Sequence, residues 1–393
     1  MRVLTVGNRY PPHGTGGYER VWQAAVAGLR AAGHEVTVLT TTDRDVGVPG
    51  SAEEPGVHRA LRWYWRDHAF LPLGPVATRR LERHNAAVFA AHARGAELVI
   101  WFSMGGMSLG LTAQTDAPQL AVVHDGWPSY GPGVDRWTAR WGRLARRRYD
   151  PGRVDWWSFN SAYSRDLLIR AGVGIDLERA SVEHPGIDPA AFAPSPPPAW
   201  RGELLVLGRV EERKGVADAI AALPDGMRLT VAGPADPAHL AELQTLAGGL
   251  AGRFGGATGA STKHLAGAVG ARAVRFTGAT NDPAAALAAA DAVLFPVTWA
   301  EPWGLVPLEA MAVGRPVVAT GTGGTAEYLR PSENALLVPP GDPTALRAAV
   351  ERLAADPALR ARLAAGGQAT AARFTEAAWV GQVVALAERV ASR

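Results

Sequence analysis

Prolines at positions 194, 196, 197 and 198 break the chain near its middle, within "PGIDPAAFAPSPPPAWRG" (185–202). Proline lacks the backbone N–H and fixes φ, so such a cluster suits neither a helix interior nor a central strand. The stretch is expected to be a linker, and each side must fold by itself. Both sides carry the same alternation of short apolar runs and helical patterns. Before the break the runs are "RVLTVG" (2–7), "EVTVLT" (35–40), "ELVIWF" (97–102), "QLAVVH" (119–124), "DWWSFN" (155–160) and "ASVEH" (180–184). After it come "ELLVLGR" (203–209), "RLTVAG" (228–233), "AVRFTG" (273–278), "DAVLFPV" (291–297), "RPVVAT" (315–320) and "ALLVP" (335–339). Between the first two runs, Val21, Ala24, Ala25 and Leu29 share one helical face. Continuous β-branched runs separated by helices predict buried parallel strands joined by right-handed crossovers. The fold class is therefore α/β, with two Rossmann-like, doubly wound parallel-sheet domains.

The expected boundaries are an N-terminal domain at 1–190, a linker at 191–202 and a second domain at 203–373. An amphipathic helix at about 374–393 is expected to pack back on the first domain. Residues 247–272 are rich in Gly and Ala and read as helix plus loop. In open α/β sheets ligands bind at the carboxyl ends of the strands, so the expected site is a central cleft faced by the two domains.

Composition narrows the function. A length of 393 residues favours two cores over one, and a net charge of +3 gives nucleic acid no electrostatic claim. With no Cys there is no disulfide, thiolate nucleophile or Cys-bound zinc. "MRVLTVGN" reads as a first strand and not as a signal peptide, and no uncharged run reaches bilayer length. These features predict a soluble, cytoplasmic protein. Lys occurs only at 214 and 263 among many Arg, so a retained Lys suggests a need for a compact point charge.

Three stretches carry chemistry. In "NRYPPHGTGGYERV", Gly16 and Gly17 open onto a helix N-terminus, which suits an anion or a plain tight turn. In "LLVLGRVEERKG", Arg209 ends a strand and Lys214 lies in the loop beyond; they can neutralise a diphosphate or form a solvated charged loop with Glu211 and Glu212. In "WAEPWGLVPLEAMAVGRPVVAT" (299–320), Glu309 is the only ionisable residue between Glu301 and Gly314. A lone buried carboxylate costs several kcal/mol, so a partner is required. Backbone N–H groups at Gly304, Leu305 and Val306 suit a phosphate, and Glu309 could accept hydrogen bonds from a ribose diol. A carboxylate pair for glycoside hydrolysis is disfavoured, because one glutamate precedes the helix and the other lies within it.

"EPWGLVPLEAMAVGRPVVATGTGGTAEYL" resembles the signature of retaining glycosyltransferase family 4, with its two glutamates seven residues apart. "PPHGTGGYERV", "HDGW" (124–127), "NSAYSRD" (160–166), "HPGID" (184–188) and "GRVEERKG" (208–215) keep that family's order over essentially the whole chain. The resemblance implies the GT-B fold and a retaining, metal-independent, hexosyltransferase-like enzyme without a cofactor. The implied donor would be a nucleotide-diphosphate sugar of UDP, dTDP or GDP type, with adenine also open. Arg209 and Lys214 would bind the diphosphate, Glu309 the ribose and Glu301 the sugar hydroxyls. Gly304, Leu305 and Val306 would approach the sugar and phosphates, and Trp303, standing where the family commonly has Phe, would join them in binding the donor. Phe276, Thr277 and Gly278 would receive the base. His124 would lie by the anomeric carbon, although a His in this setting can equally be a satisfied core residue. Gly16 and Gly17 would sit beside the phosphate and acceptor.

Acceptor candidates are His13, Trp63, Trp65, Trp127 and Tyr130, the aromatics serving as a stacking platform or as core. The expected acceptor is a hydroxyl-bearing small molecule, glycan or lipid-linked acceptor, in cell-envelope glycan or glycosylated natural-product biosynthesis. "RWTARWGRLARRRYD" (136–150) reads as a basic amphipathic helix, which leaves peripheral contact with the inner face of a membrane open. A nucleotide-sugar epimerase and a non-catalytic sugar-nucleotide or glycan binder are the rival readings.

Overall fold

The computed structural model describes residues 1–13, 16–44, 54–66, 69–71, 73–129, 150–252 and 273–393. It divides into two units, Met1–Pro185 with Glu376–Arg393, and Gly186–Thr375. Among the described residues no helix is long and apolar enough to cross a membrane.

The first unit is built on β1 (Arg2–Val6), β2 (Glu35–Thr41), β3 (Val57–Leu61), a short antiparallel ladder of β4 (Trp65–Arg66) and β5 (Ala69–Phe70), then β6 (Leu98–Trp101), β7 (Gln119–Val123), β8 (Trp156–Phe159) and β9 (Ala180–Val182). Its main sheet has the order β3-β2-β1-β6-β7-β8-β9, with parallel pairing throughout. β6, β7 and β8 are buried along their whole length, as strands covered on both faces must be. β3, "VHRAL", is not legible as a strand in the sequence because His58 and Arg59 interrupt its apolar run. The helix Gly17–Ala31 buries Val21, Trp22, Ala25, Val26 and Leu29, so Trp22 and Val26 fill the face where Ala24 was expected. The helix Glu376–Ala391 belongs to this unit and buries Trp379, Val383, Leu386, Ala387 and Val390. It crosses the first helix at Gly28, where an added Cβ would lie 2.1 Å from Val380 Cγ1. Only glycine permits that approach.

The second unit carries β10 (Glu203–Leu207), β11 (Arg228–Ala232), β12 (Ala273–Gly278), β13 (Ala292–Phe295), β14 (Val317–Ala319) and β15 (Leu336–Leu337) in the order β12-β11-β10-β13-β14-β15, again all parallel. Successive strand residues feed opposite cores. Leu205, Val293, Val317 and Ala319 join one cluster, while Leu204, Val206, Ala292, Leu294 and Val318 join the other.

The Pro-rich stretch is a strap on this unit. Ile187 and Phe192 lie in its core, and Ser195 N–H donates to Val313 O at 3.2 Å. The buried Arg315 donates through Nη1 and Nη2 to Ser195 O (3.0 Å), Ser195 Oγ (2.8 Å) and Pro196 O (3.3 Å). Proline's missing N–H leaves carbonyls that a guanidinium can collect, which composition alone did not reveal.

Both sheets step outward over three strands and then return to the other side of the first. The order therefore reverses between β1 and β6, and between β10 and β13. Each reversal opens a crevice at the carboxyl ends of those strands.

Candidate active site

In the second unit the crevice is lined by the loops that leave β10 and β13. Arg209 and Lys214 come after β10; Trp299 and Glu301 come after β13. Lys214 ends a short 3-10 turn, Glu212–Lys214, and Gly215 turns the chain into the helix Val216–Ala222 with φ 67°. A Cβ on Gly215 would stand 1.9 Å from Pro296 O, so the two loops pack backbone to backbone. Thr298 N–H donates to Arg213 O at 3.0 Å across the same seam.

The carboxylates and cations here satisfy one another. Lys214 Nζ lies 2.6 Å from Glu301 Oε2, and Trp299 Nε1–H donates to the same oxygen at 2.9 Å. Glu211 bridges two arginines: Arg209 Nη1 is 3.1 Å from Oε1 and Arg213 Nε is 2.6 Å from Oε2. Burial acts to raise the Glu211 carboxyl, but Arg209, Arg213 and Lys214 outweigh it and hold it below the ordinary range. The Arg209 side chain remains 57% exposed. The sequence allows Glu211 and Glu212 to be parts of a solvated loop; in the structure Glu211 aligns the cations.

The helix Leu305–Val313 starts from Gly304, and Tyr328 Oη donates to Gly304 O at 2.7 Å. Burial, reinforced by the charges of Glu301 and Glu309, raises the Tyr328 phenol well above its usual value, so it stays a donor. Leu305 and Val306 lie in the first turn, whose N–H groups have no intrahelical acceptor. Glu309 is 1% exposed, one turn further in. Trp303 is 3% exposed, with its ring edge-on to Tyr328 and Phe374. Its indole is core, which corrects the expectation of a side chain offered to the donor.

Phe276, Thr277 and Gly278 end the edge strand β12, where Gly278 O accepts from Gly233 N–H at 2.8 Å and Thr277 and Gly278 are exposed. A cavity of about 610 Å³ between this side of the sheet and the helix Pro283–Ala289 includes Thr277. None of Arg209, Lys214, Glu301 or Glu309 lines it.

In the first unit, side chains that follow β1, β6 and β7 form a hydrogen-bonded network that includes the Asp125 carboxylate. Asn8, two residues past β1, donates through Nδ2 to Ser103 Oγ (3.2 Å) and Gly105 O (3.3 Å). Ser103 Oγ lies 3.4 Å from Asp125 Oδ2, and Asp125 Oδ1 accepts from Trp127 N–H at 3.1 Å. His124 directly follows β7, and Asn160 Nδ2 donates to its carbonyl at 3.1 Å. Its ring stands edge-on to Tyr18 and Trp379, and Nε2 is buried without a partner among the described residues. Burial pushes the imidazole pKa down to about 3, so His124 is neutral near pH 7.

Other expected residues fare differently. Gly16 N–H donates to Glu19 Oε2 at 2.9 Å, so the chain's own carboxylate occupies the anion position where Gly17 begins its helix. Trp63 Nε1 donates to Gly105 O at 2.8 Å, beside Asn8 and Ser103. Trp127 is 1% exposed and packs near Trp157 in the core, so it cannot serve as a stacking platform. His13 is also buried. Tyr130, the side chain of Trp65 and the basic stretch up to residue 149 lie outside the described residues. Asn8, Ser103, Asp125 and Trp299 had no role assigned from sequence. Their common signal is position, a few residues beyond a strand's carboxyl end.

Known structures place this fold. The Anabaena Alr3699/HepE structure with UDP aligns with a TM-score of 0.73 at 21% identity, covering 100% of both chains. The fold is that of the GT-B glycosyltransferases. A family described as "Glycosyl transferases group 1" matches residues 190–370, and one described as "Glycosyltransferase Family 4" matches residues 15–191. Glycogen synthase of Mycobacterium tuberculosis is 30% identical, over 93% of this chain and 88% of that protein. Phosphatidyl-myo-inositol mannosyltransferase of Mycolicibacterium smegmatis is 31% identical, over 92% and 87%. The chain belongs to glycosyltransferase family 4 and is a glycosyltransferase.

Proposed function

We propose that this enzyme moves a sugar from a nucleoside-diphosphate sugar to an acceptor hydroxyl, with retention at the anomeric carbon and no metal ion. The observation that carries the reading is the set of cations and carboxylates at the β10–β13 reversal. Lys214 pairs with Glu301 just before the helix that holds Glu309, and Arg209 lies in the same loop as Lys214, paired with Glu211. Such a set fits a diphosphate flanked by two hydroxyl-rich sugars. Glu309 takes the ribose hydroxyls and Glu301 those of the transferred sugar.

In the reaction the acceptor hydroxyl attacks the anomeric carbon on the face the diphosphate leaves. The glycosidic C–O bond to phosphate breaks, the new C–O bond forms, and the hydroxyl proton passes to the departing phosphate oxygen. Arg209 and Lys214 carry the charge that grows on the leaving group, the task a divalent metal performs elsewhere. On this reading His124, Asn8 and Asp125 of the first unit would serve the acceptor, with His124 as a neutral group.

The solved neighbour bound to UDP supports a nucleotide-sugar donor, and the relative named for phosphatidyl-myo-inositol supports a lipid-linked acceptor. The test is calorimetric titration with UDP, dTDP, GDP and ADP in the presence of EDTA, with Lys214→Ala as control. One nucleotide should bind, and bind much more weakly to the variant. The anomeric proton coupling of product made from the matching donor should then show the donor's configuration. Binding that requires added divalent metal, or an inverted product, would overturn the mechanism.

A further inference from the structure

Trp299 occupies a position from which it can act on the donor site. Its indole is partly buried, and Nε1–H shares Glu301 Oε2 with Lys214 Nζ. The ring is held from several sides. The Arg213 guanidinium lies 4.1 Å from its centroid and Lys214 Nζ 5.6 Å, while Thr322 Oγ1 donates to Trp299 O at 2.7 Å. Glu301 thus has two unlike donors on one oxygen. Lys214 is a point charge on a flexible stem; the indole N–H is neutral and belongs to a clamped ring.

The geometry points to Trp299 as a positioning residue, through an exchange at Glu301: Lys214 leaves the carboxylate for the ligand's diphosphate, and the Trp299 N–H holds the carboxylate ready for the donor sugar. This inference rests on the donor-site reading above. It sets a preference between substrate and product. A bare diphosphate takes Lys214 and leaves Glu301 charged with less compensation, which is costly for a half-buried group. A sugar-bearing diphosphate supplies hydroxyls to that same carboxylate. The ion pair therefore disfavours the spent nucleotide relative to the donor and helps it leave.

Two lysines in the whole chain make the exchange observable, because lysine labelled at Cε and Nζ gives two NMR signals, assigned with Lys263→Arg. In the ligand-free protein Glu301→Gln should shift the Lys214 signal. No shift would remove the ion pair and overturn the exchange while leaving the donor-site reading intact. Inorganic pyrophosphate then serves as a probe that needs no knowledge of the base. Glu301→Gln should bind it roughly tenfold more tightly than the native protein, since Lys214 is released from a charged partner. Trp299→Phe keeps a ring beneath Arg213 and loses the N–H, and it should weaken pyrophosphate about fivefold, because Glu301 is then left with no donor when Lys214 departs. In the Glu301→Gln background the same change should have no effect. A Trp299→Phe effect that persists there would show a merely structural role and overturn the proposal. A Lys214 signal that responds to Glu301→Gln, with no pyrophosphate bound by either protein, would remove the donor-site reading and the exchange with it.

Discussion

The two units share a strand order and differ in what they place at its reversal. Beyond β1, β6 and β7 lie Asn8, Ser103 and Asp125, linked through Ser103 Oγ at 3.2 and 3.4 Å, with a neutral His124 preceding Asp125. Beyond β10 and β13 lie Arg209, Arg213 and Lys214, paired at 2.6–3.1 Å with Glu211 and Glu301. The doubly wound topology supplies the crevice in both cases. The loops decide which side chains it holds, clustered cations in the second unit and mainly amide, hydroxyl and imidazole groups around Asp125 in the first, and so which part of a reaction it can serve. Clustered cations at short range suit an anionic ligand group, the part proposed for the second crevice.

The sharpest way to break this contrast is to remove charge from the second crevice. Lys214→Ala should lower turnover by about a thousandfold, the scale of losing one preorganised charge from a transition state. Arg209→Ala should cost less, about a hundredfold, because that side chain is more exposed and shares its charge with Glu211. Single-turnover rates with a saturating donor would measure both. Equal, small losses would mean that the second crevice holds the ligand without supporting the chemistry.

A second prediction concerns stability and applies to the first unit alone. Its sheet is covered partly by the last helix of the chain, which meets the helix Gly17–Ala31 at Gly28. Valine is stiff at χ1, so a methyl at Gly28 must displace Val380 or the helix that carries it. Gly28→Ala should destabilise the fold by about 1–3 kcal/mol, read as a lower urea midpoint. Adding Val380→Ala should restore part of the loss. A Gly28→Ala protein with native stability would mean that this helix contact contributes little.

Much of this was legible beforehand because it comes from periodicity. Runs such as "LVIW" and "ELLVL" are apolar without alternation, and only a strand covered on both faces tolerates that. Lys214 and Glu301 stood out as rare charges beside apolar strands. Their mutual pairing was not visible, because 87 residues separate them and only the reversal of strand order brings them together. Aromatic residues misled for the opposite reason. Trp127 and Trp303 lie in loop-like sequence beside functional residues, yet their rings pack inward against Trp157 and against Tyr328 with Phe374. Local sequence records that an aromatic is present and says little about which way it turns. The strap at Ser195 and Pro196 was hidden similarly, since its partner is Arg315.

The smallest predicted effect tests the neutrality of His124. His124 has a folded pKa of about 3, whereas an unfolded histidine titrates near 6.5. Between those values the unfolded chain binds a proton that the folded chain refuses, so stability rises with pH there and is flat above it. Acidification from pH 7 to pH 5.5 should thus cost the native protein about 1 kcal/mol through this residue. His124→Phe keeps a ring against Tyr18 and Trp379 and removes the titration, so the native-minus-variant difference in unfolding free energy should decline over that interval. Taking the difference cancels the carboxylates, including Glu211, that also lose stabilisation in acid. A flat difference would mean that His124 accepts a proton in the folded state. The first crevice would then carry a switchable positive charge, and the contrast with the second would hold only above the pKa of that imidazole.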